Sequence, residues 1–239
     1  MRASKSDRTD PDLLPLLFGS RGGSLRDQLN GPDVVVHHGS RRRLARLLGA
    51  ALLADMQAVH DLMPCYGAPI RRIVPGKSGL VGYRTLRADE MPKAPGRAAT
   101  CYFFNDFERQ FSEVKRTIAA LCRALGRRSG GCIGSLQTEG AVISRHCDDV
   151  GVIAVQLFGS RQWRLERNSD PPAGLHDPVY VATRLRDGWS AEFGRTSRTV
   201  TLKPGSVLYV PLGWWHETRS FEDSFALAIS VGKTVRSRR

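Results

Sequence analysis

No stretch of the chain approaches the roughly 18 consecutive apolar residues that cross a bilayer. The best candidate, Leu47 to Met56, is short and runs through Asp55. A signal peptide is missing too. The apolar run near the start, Leu13 to Phe18, is short, holds Pro15 and follows three Asp residues. Cysteine is scarce: Cys65, Cys101, Cys122, Cys132 and Cys147 are odd in number, scattered, and form no CxxC. That argues against a disulfide framework and a structural zinc site, and fits a reducing compartment. No P-loop, dinucleotide fingerprint, nucleophile elbow or internal repeat occurs. The expectation is a cytoplasmic protein with no membrane partner.

What is present bounds the class. A chain of 239 residues with 41% hydrophobic and 25% charged residues is too apolar to stay disordered and long enough to bury a sizeable core. One domain, or two small ones, is the prior. The formal net charge is +13, and Arg outnumbers Lys 30 to 6. Residues 71–98 carry seven bases against two acids, and the tail from Gly232 to Arg239 carries four bases and no acid. An anionic partner such as RNA is one reading; a solvated face is the other. The basic runs lack the succession of aromatic rings that a nucleic-acid platform needs, so nucleic acid is the less favoured partner.

The pattern along the chain changes once. Residues 1–12 are polar and expected to fray. Ser40 is placed to cap a short helix that Gly49 ends, and a second helix spans roughly 53–63. Ile70–Val74 reads as a strand. Phe107, Phe111, Val114, Ile118, Leu121 and Leu125 recur at helical spacing and predict one helix over 107–125, with Asn105 and Glu108 as a capping box and Gly126 as its stop. From Cys132 the period becomes two. Eight strands are expected at about 132–138, 143–149, 151–157, 160–166, 198–203, 207–211, 215–219 and 224–231. The expected fold is mainly β: a double-stranded β-helix of the cupin jelly-roll type with packed N-terminal helices. Its parts are a helical and strand region over 1–130, a barrel over 131–232 with an insertion at 168–197, and a basic tail at 233–239.

Three features carry chemistry. In RHCDD, His146 and Asp148 lie two apart on a strand, so both face one way while Cys147 faces the other. In VLYVPLGWWHE, a turn at Gly213 brings His216 inward. Two imidazoles and one carboxylate on one side of a metal form the facial triad of non-haem Fe(II) oxygenases, which leaves positions open. In FGSRQWRL, Arg161 shares a face with Trp163 and Leu165. An inward guanidinium in an apolar barrel needs an anion, and a dicarboxylate would meet it in bidentate fashion. An interior salt bridge or a solvated barrel mouth would do the same. In the last strand Ser224, Ala226, Ala228 and Ser230 share one face. If that face is inward, there is room for a ligand and Ser230 can donate to it; if not, the small residues pack under a helix. His176-Asp177 reads as a surface turn, and His37-His38 has no partner at ligand spacing.

HCDDVGVIAVQLFGSRQWRL, LKPGSVLYVPLGWWHE and SFALAISVG together resemble the Jumonji-C/cupin-4 family of 2-oxoglutarate- and Fe(II)-dependent oxygenases, which includes the ribosomal-protein hydroxylases. The resemblance covers 132–232 closely and 17–126 loosely. It implies that His146, Asp148 and His216 hold Fe(II), and that Arg161 holds the far carboxylate of 2-oxoglutarate. It also implies that Ser230 and Thr138 lie at that cosubstrate, and that dioxygen is the second cosubstrate. Hydroxylation of a C–H bond is the implied reaction, with an amino-acid side chain in a peptide, protein or amino-acid-derived metabolite as substrate near Trp214, Trp215 and the insertion. Two departures stand out. Gly134 or Ser135 falls where ribosome-directed members have Asn, and the loop 139–144 is shorter. Those members also continue into dimerisation and winged-helix regions, whereas this chain ends seven residues after Gly232, so the barrel is expected without them. The competing readings are a non-catalytic metal-binding cupin that regulates a partner through its basic tail, and an RNA hydroxylase.

Overall fold

The computed structural model describes residues 13–19, 25–49, 54–62, 65–75, 81–87, 90, 98–148, 150–168, 180–181 and 193–232. The expected frayed start, most of the insertion with His176 and Asp177, and the basic tail lie outside the described residues.

All eight expected strands form, within one or two residues at each end. They are β5 (Gly130–Gln137), β6 (Val142–Cys147), β7 (Gly151–Phe158), β8 (Arg161–Glu166), β10 (Arg198–Leu202), β11 (Val207–Val210), β12 (Trp215–Ser220) and β13 (Ser224–Val231). They pair antiparallel in two sheets, with β11-β7-β13-β5 in one and β10-β8-β12-β6 in the other. β5 to β8 and β10 to β13 each alternate between the sheets, while β8 and β10 pair within the smaller one, as in a jelly roll of the cupin type.

Four further strands occur: β1 (Val35–His37), β3 (Val81–Leu86), β4 (Cys101–Phe104) and β9 (Tyr180–Val181); the strand expected at 70–74 is β2 (Ile70–Pro75). β1 and β9 are too short to show a period. β4 shows none because it is covered on both sides. The larger sheet runs β1-β11-β7-β13-β5-β4-β2-β3, so the N-terminal region adds strands directly to the barrel's own sheet.

Helices cover the outer face of that sheet. They are α1 (Leu13–Phe18), α2 (Leu25–Asn30), α3 (Ala45–Leu48), α4 (Met56–Leu62), α5 (Phe107–Gln110) and α6 (Ser112–Leu125). Val114, Ile118, Leu121 and Leu125 of α6 are buried, each contributing about 1.5–3 kcal/mol. The expected single helix over 107–125 is broken at Phe111, whose backbone is extended while its ring stacks on Phe107 at 4.6 Å. The capping box does not form. Asn105 donates to the Pro69 carbonyl, and Glu108 accepts from the Cys132 N–H. Ser40 does cap as expected, accepting from the Arg42 N–H, although the first turn is 3-10. α5 approaches closely because Gly134 lacks a side chain: a Cβ there would lie 2.8 Å from Phe107.

β7 is buried along its whole length, because the helix layer covers one side and the barrel interior the other. The main core therefore lies between the helices and the larger sheet. A second cluster, with Trp163, Leu165, Leu202, Leu208, Val210 and Trp214, closes the barrel between the sheets. No helix among the described residues is long and apolar enough to cross a membrane.

Candidate metal centre

β6 and β12 lie side by side with His146 directly opposite His216. The ring centroids are 4.1 Å apart. Asp148 follows β6, and its carbonyl accepts from the N–H of Gly213, whose φ of 80° makes the tight turn into β12. That bond ties together the two segments that carry the triad. One ligand atom from each of His146, Asp148 and His216 lies within 4.8 Å of the others, and His216 Nε2 is 3.5 Å from Asp148 Oδ2.

Hydrogen bonding sets the tautomers. Nδ1 of His146 lies 2.7 Å from the Ser144 carbonyl oxygen, and Nδ1 of His216 lies 3.0 Å from that of Trp214. A carbonyl only accepts, so both rings carry a proton on Nδ1 and present the Nε2 lone pair inward. Burial, with His146 alongside, holds His216 well below the usual imidazole range, in the neutral form a metal requires. Burial also pushes the Asp148 carboxyl up, with His146 opposing the shift. A desolvated carboxylate beside two imidazole nitrogen donors has the charge and the donor set for a divalent cation.

The triad opens on a cavity of about 370 Å³. Ala226, Ala228 and Ser230 line it, while Phe225, Leu227 and Ile229 belong to the main core, so the small face of β13 is the inward one. At the other end stands Arg161, only 2% exposed. Register sets it four residues along β8 from Leu165, the partner of His216, a separation of roughly 13 Å along the strand. Its guanidinium donates to Ser135 Oγ at 3.1 Å, the Ser135 carbonyl at 3.0 Å and Ser224 Oγ at 3.0 Å. Ser224 in turn bonds Ser220 at 2.6 Å, and Ser220 donates to Gln137. Every partner is neutral, and burial lowers Arg161 to about 10. No acid among the described residues pairs with it. The interior salt bridge considered as an alternative does not occur among the described residues.

The other expected positions divide. Ser230 lines the cavity, with its hydroxyl against Gly131. Thr138 is not among the described residues that line it: its hydroxyl is used at the sheet edge, accepting from the Thr100 N–H and donating to the Ala98 or Thr100 carbonyl. Trp214 and Trp215 are not at the mouth either. Trp214 is buried in the second core and donates to the Pro32 carbonyl. Trp215 lies on the outer face under Arg145, whose guanidinium is 4.1 Å from its ring centroid and 4.9 Å from that of Phe193. Arg145 also pairs with Glu166 at 3.1 Å. Since Glu166 accepts from Gly194 and Thr196, the end of the insertion is anchored directly behind both histidines. Cys147, buried on that outer side, is pushed up to about 12 by burial and is inert as a nucleophile.

Sequence reasoning missed Arg71, Tyr83, Phe103 and Asn105, which line the cavity from β2, β3 and the end of β4. The missing signal was β4 itself, whose alternate residues continue the inward face.

Comparison with known proteins agrees with this geometry. A family model described as "JmjC domain" matches residues 111–238. Over 175 residues the chain is 29% identical to Ribosomal oxygenase 2 of Bos taurus, covering 73% of this chain and 34% of that one. Over 86 residues it is 35% identical to the bifunctional lysine-specific demethylase and histidyl-hydroxylase NO66 of Dictyostelium discoideum, covering 36% and 16%. Among solved structures it resembles Escherichia coli YcfD, with a TM-score of 0.55 and 18% identity over 86% of this chain and 50% of that one. The same protein, titled a ribosomal oxygenase, has been solved with cobalt and 2-oxoglutarate, at a TM-score of 0.52. The chain spans about a third or less of these curated relatives' own length and half that of the solved structure.

Proposed function

The chain belongs to the JmjC-domain family, and from that premise we propose that it is a 2-oxoglutarate- and Fe(II)-dependent dioxygenase that hydroxylates a C–H bond. The substrate class is an amino-acid side chain, in a peptide, a protein or an amino-acid-derived metabolite. His146 and His216 hold the metal through Nε2 and Asp148 through its carboxylate. Ferrous iron with bound 2-oxoglutarate supplies oxygen activation coupled to decarboxylation.

The chain's own work is placement and exclusion. Arg161 takes the far carboxylate of the cosubstrate. Ser135 and Ser224 fix the plane of its guanidinium before the ligand arrives, so little ordering remains to be done on binding. Ala226 and Ala228 leave volume for the five-carbon chain. Trp163, stacked on His216 with ring centroids 5.6 Å apart, walls the cavity on the side of the smaller sheet. Its indole N–H is buried without a partner, which fits a cavity that receives a polar ligand.

The observation that carries this reading is Arg161: a buried guanidinium with only neutral partners, in the same cavity as the triad. The test follows succinate. Protein reconstituted with Fe(II) and given 2-oxoglutarate under air should release succinate, and Asp148→Ala should release none. Equal release from both proteins would contradict the triad.

A further inference from the structure

The inward face of the larger sheet does not stop at the barrel. Alternation along β4, β2 and β3 keeps Phe103, Asn105, Arg71 and Tyr83 on the cavity side, while Ile70, Leu86, Tyr102 and Phe104 enter the core under the helices. Register sets Arg71 beside Phe103 on one flank and Thr85 on the other. Tyr83 and Phe103 face each other with ring centroids 6.3 Å apart. Arg71 therefore stands on an aromatic-walled shelf at the open side of the metal cavity.

Its charge has no counterpart among the described residues. No hydrogen bond or ion pair joins Arg71 to any of them, and Asp148 is the sole acid among the described residues that line the cavity, where it belongs to the triad. In the loaded site a divalent metal, Asp148, Arg161 and a 2-oxoglutarate dianion together sum to zero. Among the described residues Arg71 remains as one uncompensated positive charge. A guanidinium beside aromatic faces in a partly enclosed space takes a planar anion well. Tyr83 supports this. Burial pushes its phenol up, the Asp148 charge adds to the shift and Arg71 opposes it, so the hydroxyl keeps its proton and can donate.

We infer that Arg71, assisted by Tyr83, receives a carboxylate of the primary substrate and so selects acidic substrates. This rests on the oxygenase reading above and names the substrate class for the same site. The carboxylate can belong to an acidic side chain within a peptide or to a free amino acid.

The test uses the full chain loaded with zinc, which takes the same nitrogen and oxygen ligands without redox chemistry, and saturated with 2-oxoglutarate. Ligand-observed NMR then compares free glutamate and aspartate with glutamine and asparagine. It also compares acetyl-Gly-Glu-Gly-amide and its Asp form with their Gln and Asn forms. An acid should bind at least tenfold tighter than its amide in one of the two arms, and the arm that responds identifies the source. Arg71→Gln, an exposed strand position, should abolish that preference and leave 2-oxoglutarate affinity within twofold. No acid preference in either arm, or one that survives Arg71→Gln, overturns the inference. So does a parallel loss of 2-oxoglutarate affinity, which would assign Arg71 to the cosubstrate. Failure of the native zinc protein to bind 2-oxoglutarate counts instead against the oxygenase reading itself.

Discussion

The two ends of the barrel cavity are built oppositely. At one end a desolvated carboxylate sits with the Nε2 atoms of two imidazoles, a donor set that suits a divalent cation. At the other a desolvated guanidinium sits among hydroxyls and carbonyls, with no acidic partner among the described residues. Neither end is a sensible way to stabilise a fold, because an unpaired buried charge is costly. Hydrophobic replacements of the same volume would serve stability better. The two ends become consistent together when a metal and a dianion occupy the space between them. The lesson is that stability and the proposed function separate along one strand, with Leu165 serving the core between His216 and Arg161.

The sharpest way to break this comparison is at the metal end. Removing an outer partner of a metal ligand typically costs 10- to 100-fold in affinity or activity, so Asp148→Ala, which removes a proposed ligand itself, should exceed about 100-fold. Metal content after dialysis and succinate release both check it.

The opposite end should respond with a split sign. Arg161→Met should weaken 2-oxoglutarate binding by about 30-fold or more, as expected for truncating one member of a buried charge pair. The ligand-free protein should unfold at the same or a higher temperature, since the uncompensated guanidinium is gone. Calorimetry and a thermal melt read the two effects separately. A variant that loses both affinity and stability would mean that Arg161 is mainly a structural residue.

A smaller effect is expected behind the metal end. Arg145, between Trp215 and Phe193 and paired with Glu166, backs the strands that carry His146 and His216. Its side chain and that of Glu166 are only 9% and 12% exposed, so the pair is well shielded from solvent. Arg145→Met keeps most of the packing and removes the charge. It should lower metal affinity about tenfold while leaving the Arg161 end able to discriminate 2-oxoglutarate from a monocarboxylate. Competition with a chromogenic chelator measures the first, and inhibition by 2-oxoglutarate analogues the second.

The smallest effect is in pH. His216 is held neutral in the folded state, so its folded pKa lies below the ordinary 6.5. As pH falls through 6.5 the unfolded chain takes a proton that the folded chain refuses. Metal-free protein should therefore lose stability from about pH 7 downward, by up to roughly 1.4 kcal/mol per pH unit from this group. Asp148, raised above its ordinary 3.8, acts with the opposite sign in the more acid range just above that value. Denaturant midpoints between pH 7 and 5 test this, and His216→Gln should flatten the slope.

Much of this architecture was legible in the sequence, for identifiable reasons. Period-two alternation specifies strands that have one wet and one dry face, and β8 and β12 are of that kind. His146 and Asp148 could be assigned to one face because a residue spacing of two is a geometric statement in a strand. His216 needed the turn at Gly213, and Arg161 needed only its place beside Trp163. Illegible parts had equally physical causes. β4 is covered on both faces, so it shows no alternation, and without it the inward placement of Arg71 and Asn105 is invisible. The break at Phe111 leaves the apolar stripe intact, because the ring folds back onto Phe107. The bonds of the Thr138 hydroxyl to backbone groups at 98–100 were invisible because that segment is far away in sequence.

The central claim, that one cavity holds a metal at one end and a dicarboxylate at the other, is tested most directly by titrating manganese-loaded protein with 2-oxoglutarate in the absence of oxygen. The account predicts one binding event per chain that vanishes when a chelator strips the metal and weakens by about 30-fold or more in Arg161→Met. Binding that survives loss of the metal, or that is indifferent to Arg161, would contradict it.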